Sequence, residues 1–212
     1  MKDKKTIFEV DKNNEDKKQL FIDAAICSLA NHGYKGTTVR QIAKYAGVTP
    51  GLLTHYYQGK EVLIAESYKY LATQFLDDFQ NKINEGIDNP ISALRGFFQN
   101  IFAPENLGKR YLRVWLVFWT LTLTEESLRN THKDIYKEYT KSLENILRSA
   151  YLYNDLDPSK KNLHSLSVGI LAMLDGLWLE CCLDPDALSK NDNLAIIYEF
   201  VESTTGLKIK TD

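Results

Sequence analysis

Strand signals are nearly absent from this sequence. Apolar residues recur at intervals of three and four rather than two, which is the spacing of amphipathic helices. Helix breakers are also few, with five prolines and eleven glycines in 212 residues, so long helices are unobstructed. The three cysteines exclude a disulfide scaffold. Cys181 and Cys182 are neighbours, which rarely form an unstrained bridge, and Cys27 sits in an apolar helical stretch as a small core residue. This thiol usage fits a reducing cytoplasm. The amino-terminal stretch MKDKKTIFEVDKNNEDKK has no apolar run of signal-peptide length. The nearest approach to a membrane span, Leu166 to Leu183, contains Asp175 and Glu180 and reads as a buried helix.

Catalytic signatures are missing as well. No HExxH, GxSxG or GxGxxG occurs, and Gly59-Lys60 lacks the earlier glycine and the following Ser or Thr of a phosphate loop. His32, His55, His132 and His164 are scattered, and none pairs with a cysteine at metal-ligand spacing. The expectation is a protein that is not an enzyme, with no metal and no cofactor.

What remains is an ordinary globular balance, 44% hydrophobic and 25% charged, in a chain long enough to bury a sizeable core. The net charge of −2 hides an asymmetry. Residues 1–60 carry ten Lys and Arg against six Asp and Glu, while residues 61–212 carry sixteen against twenty-two. No carboxylate lies between Asp23 and Glu61, a stretch that holds Lys35, Arg40, Lys44 and Lys60. Phosphates meet attraction there without acidic repulsion.

The periodicity predicts nine helices after a polar arm over residues 1–14. The first spans Glu15 to Asn31 and stops at His32-Gly33, with Gly33 placed for a left-handed cap. The second opens at Thr38, where Thr38 and Gln41 fit a capping box, and ends at Ala46-Gly47. The third opens at Thr49 with Pro50 in its first turn and ends between Tyr57 and Gly59. The fourth runs from Lys60 to Glu85. Others are expected over Pro90 to Phe102, Glu105 to Thr124, Glu125 to Asn154, Ser159 to Leu183 and Asn191 to Thr205. The helix over 159–183 is apolar on more than one face, so it must be covered on both sides, and one cover is a partner subunit.

The second and third helices, joined by Ala46-Gly47-Val48-Thr49, make a helix-turn-helix. Gly47 supplies the positive φ of the turn. Val39, Ile42, Ala43, Val48 and Leu53 are spaced to close a small core with the first helix. The other face of the third helix shows Thr49, Pro50, Gly51, Thr54 and His55, with little bulk at Pro50 and Gly51, so its backbone can approach a groove closely.

The stretch GTTVRQIAKYAGVTPGLLTHYYQGKEVLIAE, Gly36 to Glu66, resembles the DNA-binding domain of TetR-type repressors. The matching features are Thr38, Ile42-Ala43, Ala46-Gly47-Val48, His55-Tyr56-Tyr57, and Lys60 with Leu63. The resemblance implies an all-α, nine-helix TetR-type architecture with two domains, over 15–62 for DNA and 63–212 for ligand binding and dimerisation. It implies that Arg40 reaches a base edge and that Thr49, Pro50, Gly51 and Thr54 face the groove. Tyr56 and Lys60 match phosphate-gripping positions, with His55 beside them, and Thr38 caps its helix and touches the DNA backbone. The plainer alternatives are a solvated Lys60 and a Tyr56 that only packs.

Farther along, Arg113-Val114-Trp115-Leu116-Val117-Phe118-Trp119 and Leu174-Asp175-Gly176-Leu177-Trp178-Leu179 resemble the ligand domain of the BetI-type branch, choline-responsive repressors of glycine-betaine synthesis. Independently of that, Trp115 and Trp119 share a helix face, as do Asp175 and Trp178. Aromatic faces near a carboxylate hold a quaternary ammonium by cation–π attraction. The candidates are Trp115, Trp119, Tyr139, Asp175 and Trp178. The alternative is that these rings are core and Asp175 is a hydrogen-bonded buried or interfacial carboxylate. The partners expected are therefore a double-stranded operator, a second copy of the chain through residues 159–183 and 191–205, and a small-molecule effector such as a cation. Two-fold symmetry implies a near-palindromic operator with half-sites about 34–36 Å apart. The rival reading is a helical protein–protein adaptor, which does not need an acid-free helix-turn-helix.

Overall fold

The computed structural model describes residues 17–85 and 89–209, and the expected arm over 1–14 and the start of the first helix at Glu15 lie outside them. The described residues form nine α-helices and no strand: α1 (Lys17–Gly36), α2 (Val39–Ala46), α3 (Pro50–Tyr56), α4 (Lys60–Glu85), α5 (Pro90–Ile101), α6 (Lys109–Thr122), α7 (Glu126–Tyr153), α8 (Leu163–Leu183) and α9 (Lys190–Thr205). The chain is all-α, as its periodicity predicts. The described residues form two compact units, one from residues 17–73 with 110–132 and the other from the described residues of 74–109 with 133–209.

In the first unit, Phe21, Ala25, Ile42, Leu53 and Ile64 are fully buried and fix α1 against the short helices. The α1 helix departs from helical geometry at Gly33 (φ 64°, ψ −175°), and Thr37 closes the following turn by donating from its amide to the Gly33 carbonyl at 3.1 Å. Beneath that turn the buried hydroxyls of Ser28 and Thr37 pair at 3.0 Å. The α2 helix ends as the sequence predicts, with Gly47 left-handed at φ 69°. Its capping box is only half formed. The Thr38 hydroxyl accepts from the Gln41 amide at 3.2 Å, but the Gln41 side chain turns to His32, 3.0 Å away.

The second unit is built around Phe79, Phe97, Phe98, Phe102, Leu147 and Ile170, all at most 2% exposed. Two helices begin later than the sequence predicts. A 3-10 turn at Pro104–Asn106 and Gly108 (φ 121°) delay α6 to Lys109. A second such turn at Pro158–Lys160 precedes Asn162, whose side chain caps α8 by accepting from the Ser165 amide. By length and composition α8 is apolar enough to cross a membrane, but only 39% of its most apolar 18-residue stretch is buried within the chain.

Candidate nucleic-acid interface and effector residues

The helix-turn-helix presents a face that the fold leaves free of bulk. Thr49 caps α3 by accepting from the Leu52 amide, and Pro50 occupies the first turn, where no amide hydrogen is needed. A Cβ added at Gly51 would meet nothing within 4 Å. The Thr54 hydroxyl donates to the carbonyls of Gly51 and Pro50 at 3.0 and 3.2 Å. Its proton is thus committed to the helix, and its lone pairs and methyl remain for a partner. Arg40, Lys44, Thr49, Pro50, Gly51, Thr54, His55 and Tyr56 are all exposed, as is the capping residue Thr38. Tyr56 leans edge-on against Phe21 with ring centroids 5.3 Å apart, and His55 meets the Tyr56 ring at 5.7 Å. Leu53 and Tyr57 are core, at 0% and 3% exposure.

Lys60 is half-buried, and its ammonium is held within the chain. Its ammonium donates to the carbonyls of Thr37 (3.0 Å) and Tyr34 (3.3 Å) and sits 4.3 Å from the Tyr34 ring centroid. It closes the turn between α1 and α2 from within.

The five expected effector residues fall into two settings. Trp115 and Trp119 belong to the first unit, where their rings are 6.4 Å apart. Trp115 also meets Tyr68, Tyr111 and Phe118 at 6.3, 6.1 and 6.1 Å. Tyr139, Asp175 and Trp178 belong to the second. Tyr139 stacks on Phe79 at 5.9 Å and 9°, with Phe75 at 6.2 Å. Trp178 is 8% exposed and donates from its indole nitrogen to the Asn106 carbonyl at 2.7 Å, so its edge is engaged in holding the 3-10 turn to α8.

Asp175 is the unusual residue. It retains exposed surface, yet desolvation lifts its carboxyl from 3.8 to about 6. Its charge in turn helps to raise the phenol of Tyr136, for which burial is the larger cause. Sequence reading missed Tyr136. The pairs Phe75/Phe79 and Tyr136/Tyr139, spaced four and three apart on α4 and α7, were the available signal.

The chain matches known proteins in two successive stretches. Residues 21–66 match the family described as bacterial regulatory proteins of the tetR family, and residues 90–206 match the BetI-type transcriptional repressor, C-terminal family. The HTH-type transcriptional regulator BetI of Pectobacterium carotovorum is 24% identical over 193 residues, covering 88% of this chain and 92% of that protein. A transcriptional regulator from Pseudomonas aeruginosa PAO1 superposes with a TM-score of 0.77 at 30% identity, over 89% of this chain and 90% of that one. A transcriptional regulator from Saccharomonospora viridis, solved in complex with choline, superposes at 0.71 with 16% identity, over 87% and 95% of the two chains. With its helix-turn-helix matching the tetR family and more than half of its length matching the BetI-type repressor C-terminal family, this chain belongs to the TetR-family transcriptional regulators of the BetI-type branch.

Proposed function

We propose that the protein is a homodimeric repressor that binds a near-palindromic operator and is released by a small cationic effector, a quaternary ammonium being the favoured class. Residues 15–62 serve DNA, and residues 63–212 serve ligand and dimer. The observation that carries the effector reading is Asp175, a wetted but desolvated carboxylate in the unit that also holds the stacked Tyr139 and Phe79 rings. A cation would repay that desolvation, since a carboxylate in such a setting lacks a countercharge. Tyr136 and Tyr139 on α7 supply the aromatic faces, and Trp178 forms wall. Trp115 and Trp119 are assigned to packing around Tyr68 and Phe118, because their neighbours are other rings of the DNA-binding unit. The choline found in the Saccharomonospora structure makes choline the first compound to try.

The test is a calorimetric titration with choline between pH 5 and 8. Affinity is expected to fall as the pH drops through about 6, where Asp175 takes up its proton. Asp175→Asn is expected to abolish binding. The same substitution reports on stability. The folded carboxyl holds its proton more tightly than the unfolded one, so ionising it opposes folding as the pH rises from about 4 to 6. Asp175→Asn is therefore expected to melt above the wild type at pH 7.5 and level with it near pH 4. Equal melting at both pH values would place Asp175 in ordinary solvent and remove the site.

For DNA, Arg40 and the face from Thr49 to Thr54 read sequence, while Thr38, His55 and Tyr56 set register on the backbone. Lys60 supports this surface from behind. Losing a phosphate contact removes about 0.9 from the slope of log K against log salt, whereas losing a buttress lowers affinity without changing the slope. Lys60→Met is expected to leave the slope unchanged, to weaken operator binding and to destabilise the fold by about 1–3 kcal/mol through its two lost charge-assisted hydrogen bonds. Arg40→Ala is expected to weaken binding roughly 10- to 100-fold and to relax preference at one base pair. Fluorescence anisotropy over a salt series separates the two.

A further inference from the structure

The carboxyl end of α1 receives a second cation besides Lys60. Arg113, on α6, donates from Nη1 to the carbonyls of Ala30 (3.1 Å) and Asn31 (3.3 Å). Carbonyls at this point need outside donors. The last turn of a helix lacks amide partners and carries the negative end of the dipole, and the backbone break at Gly33 exposes it further. From the same turn, the Asn31 amide donates to the Tyr45 hydroxyl of α2 at 3.0 Å, and His32 lies 3.1 Å from that hydroxyl and 3.0 Å from the Gln41 amide. A continuous polar path thus runs from Arg113 through the end of α1 to the helix that bears Arg40.

The position of α6 gives this path its meaning. By sequence it lies inside the BetI-type effector region, residues 90–206. In space, residues 110–132 form one compact unit with the DNA-binding helices. We infer that Arg113 is a positioning residue that couples α6 to the operator-reading helices by capping α1. The inference rests on DNA binding and not on the identity of the effector. Coupling of this kind is reciprocal: if α6 biases α1 and α2, then DNA held by α2 and α3 biases α6.

Reciprocity supplies a test that needs no effector. The full-length protein is used with a duplex selected from a random pool by the wild type. Hydrogen exchange is followed by mass spectrometry with and without saturating duplex. In the wild type, DNA is expected to slow exchange over residues 39–56 and to change it severalfold over residues 110–122. In Arg113→Met, which keeps the apolar stem of an exposed residue, protection over 39–56 persists and the response over 110–122 is lost. Arg113→Lys, able to donate to one carbonyl, restores part of it. A purely structural role would alter exchange equally with and without DNA. A response over 110–122 that survives in Arg113→Met, or that is absent in the wild type, overturns the inference.

Discussion

Glutamates at Ala172 and Gly176 together are expected to convert the protein to a monomer and to lower its affinity for a two-half-site operator by about 10²-fold or more. Both positions are exposed on α8, one turn apart, and a Cβ at Gly176 meets nothing within 4 Å, so the substitutions leave the folding of the single chain undisturbed. What they disturb is the side of α8 that its own chain leaves exposed, where Ala172 and Leu183 stand beside Asp175 and Glu180. Leu183 and Ile196 stand 54% and 37% exposed near it on α8 and α9. A second copy placed across those helices would bury this surface, and two further carboxylates added beside Asp175 and Glu180 would oppose it by like-charge repulsion and desolvation. The penalty on DNA binding follows from linkage. One half-site engages few phosphates and bases, and joining two in a dimer raises the apparent affinity by about 10²–10⁴ through effective concentration alone. Light scattering would report the mass and anisotropy the affinity. A variant that stays dimeric would locate the interface away from α8.

The apolar character of α8 was legible in the sequence, where Leu163, Leu166, Ile170, Leu174, Leu177 and Cys181 recur at three and four. The start of α4 was legible for a similar local reason, with Gly59 before Lys60. The start of α6 was not. Pro104 and Glu105 form an acceptable first helical turn, and only the positive φ at Gly108 shows that the turn closes and the helix restarts. The site residues divide in the same way. Thr38, Thr49 and Gly47 act through neighbours three or four residues away, so their roles as caps are written locally. Lys60 acts on carbonyls 23 and 26 residues distant, and Arg113 on carbonyls 82 and 83 distant. Residue type announces that each is a cation, and nothing in its surrounding sequence announces that a helix end will be waiting for it. The tryptophans show the limit from the other side. A spacing of four puts Trp115 and Trp119 on one face of α6, but which rings that face meets is a property of the unit it packs in.

The second large effect is expected at Gly51, where stability and binding move in opposite directions. Gly51→Leu is expected to leave the melting temperature unchanged or raised and to reduce operator affinity by about 100-fold. Glycine inside a helix is disfavoured by about 0.8–1 kcal/mol relative to good helix formers, and the space beside Gly51 is open, so a leucine gains helix propensity without a clash within the chain. Pro50 and Gly51 leave the opening turn of α3 nearly bare, with Thr54 folded back onto the carbonyls of both. The value of that bareness lies in how close the backbone can come to the floor of a major groove, and a branched four-carbon side chain would hold it several ångströms away. Loss of close approach removes base contacts at every position read by α3, which is why the expected effect exceeds that of deleting the one side chain of Arg40. Non-specific binding, carried by phosphates, should survive, so the variant is expected to bind random duplex as the wild type does while its preference for the selected operator collapses. Operator affinity at the wild-type level in Gly51→Leu would mean that α3 does not lie with this turn in the groove, and that the bare face serves the fold alone.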